Sequence, residues 1–322
     1  MGNKIAWLFP GQGSQFVGMG REVAGASAAA RDVFARVDAA LEAELGRRLS
    51  TLCFEGPDHE LTLTKHTQPA IVATSIALLA AMRERLPSLE PPSFAAGHSL
   101  GEYAALVAAG AMRVEDACLV VHRRGKAMQE AVAPGAGAMS AVIGPLASDP
   151  AALEAICREA SEATGEPVSC ANFNAPGQIV ISGAARAVAD ANARIEANKS
   201  KFKLLPVSAP FHCALMKPAA EVVRDALGRI EVRDPAFPVV ANVDAAPRTR
   251  AADAKGALVR QVDAPVRWQA SVEAMAAAGV THVVEIGPGK VLQGLVRKID
   301  KSVKCYGVSD LASLDGLAAF LS

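Results

Sequence analysis

The stretch Phe94-Ala95-Ala96-Gly97-His98-Ser99-Leu100-Gly101-Glu102-Tyr103-Ala104-Ala105-Leu106-Val107-Ala108-Ala109 decides how the chain is read. It follows Pro91-Pro92 and opens on a short apolar run, 94–96, that reads as a buried strand; a glycine-bracketed turn and an alanine-rich helix over 100–109 follow. Strand, tight turn and helix in that order mark an α/β fold. Gly97-His98-Ser99-Leu100-Gly101 fits the nucleophile elbow, in which flanking glycines place a serine on a strained turn with its hydroxyl exposed above the sheet. Free backbone amides at the start of the helix would stabilise an oxyanion there. A serine N-cap in a glycine turn is the plainer alternative at this point.

Working outward, residues 5–9 form an apolar run closed by Pro10 and Gly11-Gln12-Gly13, the way a buried parallel strand ends, and helical patterns fill the chain to about Leu86. From Gly137 the texture changes to strand 138–143, helix 151–163, strands 168–172 and 178–182, helix 184–198 and strand 202–207. That is the β-α-β-β-α-β order of a ferredoxin-like unit. The remainder returns to α/β texture, with strands near 239–242 and 282–286, the second closing on Gly287-Pro288-Gly289. The expected architecture is therefore a hydrolase-like α/β core with a parallel sheet, residues 1–133 and 208–322, interrupted by a small ferredoxin-like α+β subdomain, residues 134–207.

Composition narrows the partners. The 322 residues are 51% hydrophobic and 20% charged, an ordinary globular balance, and 33 basic residues cancel 33 acidic ones. No global field favours nucleic acid or a membrane surface, so any charged partner must meet a local patch. The six cysteines are scattered without metal-ligand spacing and the N-terminus lacks a signal-peptide pattern, so reduced thiols, no metal and a cytoplasmic location are expected. The longest apolar stretch, 70–82, is interrupted by Thr74-Ser75 and is shorter than the roughly 20 residues a membrane span needs. It reads as a core helix.

A serine hydroxyl needs a neighbouring base, and histidine is the usual one at neutral pH. His59, His66 and His282 lie in segments without other catalytic signal, His98 points away from Ser99 on the elbow, and His122 falls inside a long helix. His212, in Ser208-Ala209-Pro210-Phe211-His212, follows a strand end and a proline and is the best placed. No carboxylate stands out to orient it; a backbone carbonyl accepting its Nδ1 proton would serve, giving a dyad instead of a triad. Arg124 has Val120, Val121, Ala127 and Met128 at helical spacing around it and so lies on an apolar face. A buried guanidinium requires a planar anion. An internal salt bridge, an outward-snorkelling side chain and a substrate anion all remain open on helix geometry alone.

Six segments, in order, resemble the malonyl-CoA:acyl carrier protein transacylases: Phe9-Pro10-Gly11-Gln12-Gly13-Ser14-Gln15, the elbow through Tyr103, Arg124-Gly125-Lys126-Ala127-Met128-Gln129, Asn172-Phe173-Asn174-Ala175-Pro176-Gly177-Gln178, Pro210-Phe211-His212 and Glu285-Ile286-Gly287-Pro288-Gly289. The resemblance runs from end to end. It implies that Ser99 carries the acyl group with His212 as base, and that the amides of Leu100 and Gln12 form an oxyanion hole. It further implies that Arg124 pairs with the malonyl carboxylate and that the main-chain carbonyl of Gln261 orients His212. Asn172 and Asn174 are implied near the pocket and the carrier arm, and Phe211 narrows the pocket in favour of malonyl over branched groups. Malonyl-CoA and an acyl carrier protein are the implied partners, both as substrates, with no bound cofactor. Fatty acid synthesis is the expected destination, and a polyketide assembly line would use the same residues. A hydrolase would use water instead of the carrier thiol, and a silent docking module would have no need of Ser99, His212 and Arg124 together. Carrier proteins of this kind are acidic, so Lys199, Lys201 and Lys203 form a candidate docking patch, with Arg297, Lys298, Lys301 and Lys304 as a second.

Overall fold

The computed structural model describes residues 3–321. Among them the strands are β1 (Ile5–Phe9), β2 (Phe94–Gly97), β3 (Gly137–Ile143), β4 (Val168–Ala175), β5 (Gln178–Ala184), β6 (Lys201–Leu204), β7 (Val239–Val240), β8 (Pro247–Arg248), β9 (His282–Ile286) and β10 (Lys304–Val308). They pair into two sheets. One has the order β10-β9-β1-β2-β7-β8 and is parallel except where β8 runs back along β7. Its central strand β1 has Ala6, Trp7, Leu8 and Phe9 buried without alternation, because the sheet is covered on both faces. The stretch 70–82 lies within the helix Thr64–Arg85, which is buried nearly all round, and no helix among the described residues is long and apolar enough to cross a membrane.

The second sheet is antiparallel, of order β4-β5-β3-β6, and the helices Pro150–Thr164 and Ala185–Ala197 pack on it around Leu153, Ile156, Ile179, Ile181 and Ile195. Numbered within the unit this is the 2-3-1-4 order of a ferredoxin-like sheet, as the pattern of elements predicts. It has a core of its own, and strand β4 touches the large domain through a bridge from Asn172 to Val266.

Several boundaries differ from expectation for local reasons. The strand expected over 202–207 ends at Leu204, because the Leu205 amide bonds Met139 O and Pro206, without an N–H, leaves the ladder. The strand expected over 239–242 stops at Val240; the Asn242 amide turns instead to the Glu102 carboxylate. The two-residue β8 and the charged, glycine-containing β10 carried no clear strand signal. The elbow glycines matter for space and not for φ. A Cβ on Gly97 would sit 1.9 Å from the Gly101 carbonyl carbon, and one on Gly101 would sit 2.2 Å from Phe9 O.

Candidate active site

Ser99 stands between β2 and the helix Gly101–Ala108, at the carboxyl end of the parallel sheet where open α/β folds bind ligands. Its φ is +52°, a left-handed conformation that is costly for serine and persists only when neighbours enforce it. Asn242 bonds to the turn at two points: its Oδ1 accepts from the Ser99 amide at 2.7 Å, and its Nδ2 donates to Gly97 O at 2.8 Å.

His212 has a positive φ of +59° and follows Pro210-Phe211 in the loop that leaves the second sheet. Its Nε2 lies 2.8 Å from Ser99 Oγ, and its Nδ1 lies 2.8 Å from the main-chain carbonyl of Gln261. A carbonyl only accepts, so Nδ1 carries the proton and Nε2 is left to accept from the serine hydroxyl. Burial above all, and then the Arg124 charge, push His212 down to about 3, so the imidazole is neutral at neutral pH.

Arg124 lies on the helix Val114–Glu130 and is 1% exposed. The helix packs so closely on the helix Thr64–Arg85 that a Cβ on Gly125 would meet Thr64 O at 2.7 Å. Arg124 donates to Gln68 Oε1 at 2.7 Å, to Gln261 Oε1 at 2.8 Å and to Ser99 Oγ at 3.0 Å, and its guanidinium stands 5.9 Å from the Tyr103 ring centre. Its Nε is buried without a partner, and no carboxylate pairs with Arg124 among the described residues. Both the salt-bridge and the snorkelling alternatives are thereby removed. Behind it, Gln261 Nε2 donates to Ser99 O at 2.8 Å and to Glu102 Oε2 at 2.9 Å. Glu102 is wholly buried, and burial pushes it up to about 7 against the pull of its hydrogen bonds from Asn242 and Gln261.

These groups open into a cavity of about 560 Å³ whose lining includes Gln12, Gln68, Ser99, Arg124, Asn172, Phe211 and His212. The amides of Gln12 and Leu100 take part in no turn, loop or cap hydrogen bond among the described residues. Asn174 turns its Oδ1 to His98 Nε2 at 2.8 Å, which explains why His98 faces away from the serine. His66 and His122 are tied to the carbonyls of Glu60 and Lys65, whereas His59, without signal in the sequence, lines the cavity. Reading the sequence missed Gln68, Asn242 and the side-chain roles of Glu102 and Gln261. Glu102 left a faint signal as the one charged residue of an otherwise apolar helix; Gln68, at the end of the polar run Thr64-Lys65-His66-Thr67, and Asn242 left none. No group of three or more His, Cys, Asp or Glu residues among the described residues is arranged to hold a metal ion.

A strained serine bonded to a neutral imidazole, beside a buried cation, is the constellation of an acyl-transferring enzyme, and residues 6–314 match the acyl transferase domain family. The chain belongs to the malonyl CoA-acyl carrier protein transacylase family. It is 47% identical over 314 residues to the protein of that name from Bacillus subtilis, covering 97% of this chain and 96% of the relative. The Escherichia coli protein of that name is 47% identical over 312 residues, covering 97% of each chain. Among solved structures, an acyl carrier protein S-malonyltransferase from Vibrio cholerae superposes with a TM-score of 0.91 at 43% identity, over 98% of this chain and 99% of the other. A malonyl-transacylase solved in complex with a type II polyketide synthase acyl-carrier protein gives 0.90 at 43% identity, over 97% of this chain and 98% of that one.

Proposed function

We propose that the chain is a malonyl-CoA:acyl carrier protein S-malonyltransferase working by ping-pong transfer through a malonyl ester on Ser99. The observation that carries this reading is Arg124, a buried guanidinium with no carboxylate partner among the described residues and a donor aimed at the serine oxygen. A substrate carboxylate supplies the missing anion.

In the first half-reaction Ser99 Oγ attacks the thioester carbon while its proton passes to His212 Nε2. The oxyanion is held by the amides of Gln12 and Leu100, the C–S bond breaks, and the proton on Nε2 goes to the departing CoA thiolate. The phosphopantetheine thiol of the carrier then gives its proton to Nε2 and attacks the ester carbon; the C–O bond breaks and Ser99 Oγ takes the proton back from Nε2. Gln261 O holds the imidazole through Nδ1 in both halves. The malonyl carboxylate also offsets the Arg124 charge, which after burial is the next cause holding His212 low, so the base strengthens when malonyl is bound and not when acetyl is. Asn172 and Phe211 shape the pocket, with Phe211 disfavouring branched acyl groups. The scheme requires no metal or cofactor, since both thioesters are substrates.

Residues 134–207 are proposed as an inserted unit that forms one wall of the cavity, with Lys199, Lys201 and Lys203 as the docking patch for an acidic carrier. Fatty acid synthesis in the cytoplasm is the proposed setting. The relative solved with a polyketide carrier supports polyketide supply as a second reading.

Replacing Arg124 by Ala tests the reading. Loss of a buried charge pair lowers the specificity constant for malonyl-CoA by about a hundredfold, and the acetyl-CoA to malonyl-CoA ratio of specificity constants rises in step. An unchanged ratio would show that Arg124 is structural.

A further inference from the structure

Strand β7 pairs with β2 only through Ala95 and Ala96, so Gly97, the next residue of β2, is paired with Phe9 of β1 but has no strand partner on the β7 side. The side chain of Asn242 takes that place. Nδ2 donates to Gly97 O at 2.8 Å while Oδ1 accepts from the Ser99 amide at 2.7 Å, so one amide group spans the turn from its first residue to the serine. Asn242 is itself held at both ends of its backbone: its N–H goes to Glu102 Oε2 at 2.9 Å, and its carbonyl accepts from the Arg267 amide at 2.8 Å. It is fully buried, and Gln261 Nε2 approaches the same Oδ1 at 3.4 Å.

We infer that Asn242 is a positioning residue, clamping Ser99 in the left-handed conformation that presents its hydroxyl to His212. The inference rests on the reading of Ser99 as nucleophile. The left-handed region is costly for serine, so a turn without the clamp relaxes toward conformers whose hydroxyl leaves the imidazole. The clamp needs one acceptor and one donor on a planar group of fixed width. Asparagine supplies both at every pH. Aspartate supplies both only when protonated; ionised, it faces the Gly97 carbonyl oxygen with a second acceptor. The charged and titratable groups around the position are Glu102 from the helix Gly101–Ala108, Arg124 from the helix Val114–Glu130, Arg248 from β8, Arg267 ahead of the helix Trp268–Ala277, and His212. Burial and the neighbouring Glu102 carboxyl both disfavour the ionised form of an aspartate placed there, against the opposing pull of Arg124 and Arg248.

The experiment compares wild type, Asn242→Asp and Asn242→Ala by the rate at which a fluorophosphonate labels Ser99, and by single-turnover acylation with malonyl-CoA, with melting curves at each pH. The expected ratio of N242D to wild-type labelling falls tenfold or more as pH rises across the range in which both proteins stay folded and the aspartate ionises. N242A labels slowly at every pH with no such trend. Because Arg124 is untouched, the KM for malonyl-CoA stays within about twofold of wild type in both variants while the acylation rate falls. A pH-independent N242D ratio, wild-type labelling in folded N242A, or rates that merely follow the melting point would each overturn the assignment. Wild type that is not labelled at Ser99 would instead sink the nucleophile reading on which the inference rests.

Discussion

The surroundings of Ser99 and the edge of β6 are both rich in polar groups, and they are built in opposite ways. At the serine, Glu102, Arg124, Asn242 and Gln261 are all nearly or fully buried and linked to one another by hydrogen bonds, so their positions are fixed by one connected network. On β6 and the turn before it, Lys199, Lys201 and Lys203 are exposed, next to the exposed Leu204 and the exposed Ile143 of β3. Burial makes a charge strong and fixed; exposure leaves it screened, mobile and available to any acidic partner. The first region suits chemistry, which demands a fixed geometry, and the second suits capture, which demands reach. Lysines on an edge strand also oppose strand addition by a neighbouring chain.

Breaking the buried region should have the larger effect. His212→Ala is expected to slow acylation of Ser99 by about 10²- to 10⁴-fold, the usual worth of a general base, in a single-turnover assay. Near-normal rates would remove His212 from the scheme. The same variant sharpens the comparison through stability. Folded His212 stays neutral down to about 3, against an ordinary value of 6.5. Its contribution is therefore present above the unfolded value and lost as pH falls from 6.5 through 3. In that window the wild type loses about 1.4 kcal/mol per pH unit through this group, so the acid limb of denaturation should be shallower in His212→Ala.

Reversing the charge at Lys199, Lys201 and Lys203 together should act more gently. Transfer to an acidic carrier slows by about tenfold at low salt, and its salt dependence weakens, while acylation by malonyl-CoA is unchanged. If both half-reactions fall, the lysines act through the fold; if neither does, the carrier docks elsewhere, with Arg297 and Lys298 the next positions to test.

Most of the fold and the three principal site residues were legible in the sequence because each rests on a local rule. Gly97 and Gly101 flank the serine because backbone passes within contact distance of both; Arg124 betrays itself as a cation inside an apolar helical face; the alternation of strands and helices over 137–204 dictates a ferredoxin-like sheet. What was not legible depends on partners far along the chain. Asn242 is ordinary in its own segment and acquires its role only because β7 ends beside β2. The Gln261 side chain is likewise silent until the helix Ala251–Gln261 brings it between Ser99, Glu102 and Arg124. The ends of β6 and β7 were misjudged because apolar residues continue past the last ladder bond, and hydrophobicity alone does not say where pairing stops.

The measurement that bears most directly on the account is the intact mass of the protein after mixing with malonyl-CoA, followed by peptide mapping and addition of a phosphopantetheinylated carrier. The account predicts one malonyl group on Ser99, lost to the carrier thiol on its addition and absent from Ser99→Ala. A malonyl adduct that persists in Ser99→Ala, or one that is released only as free malonate when carrier is present, would contradict it.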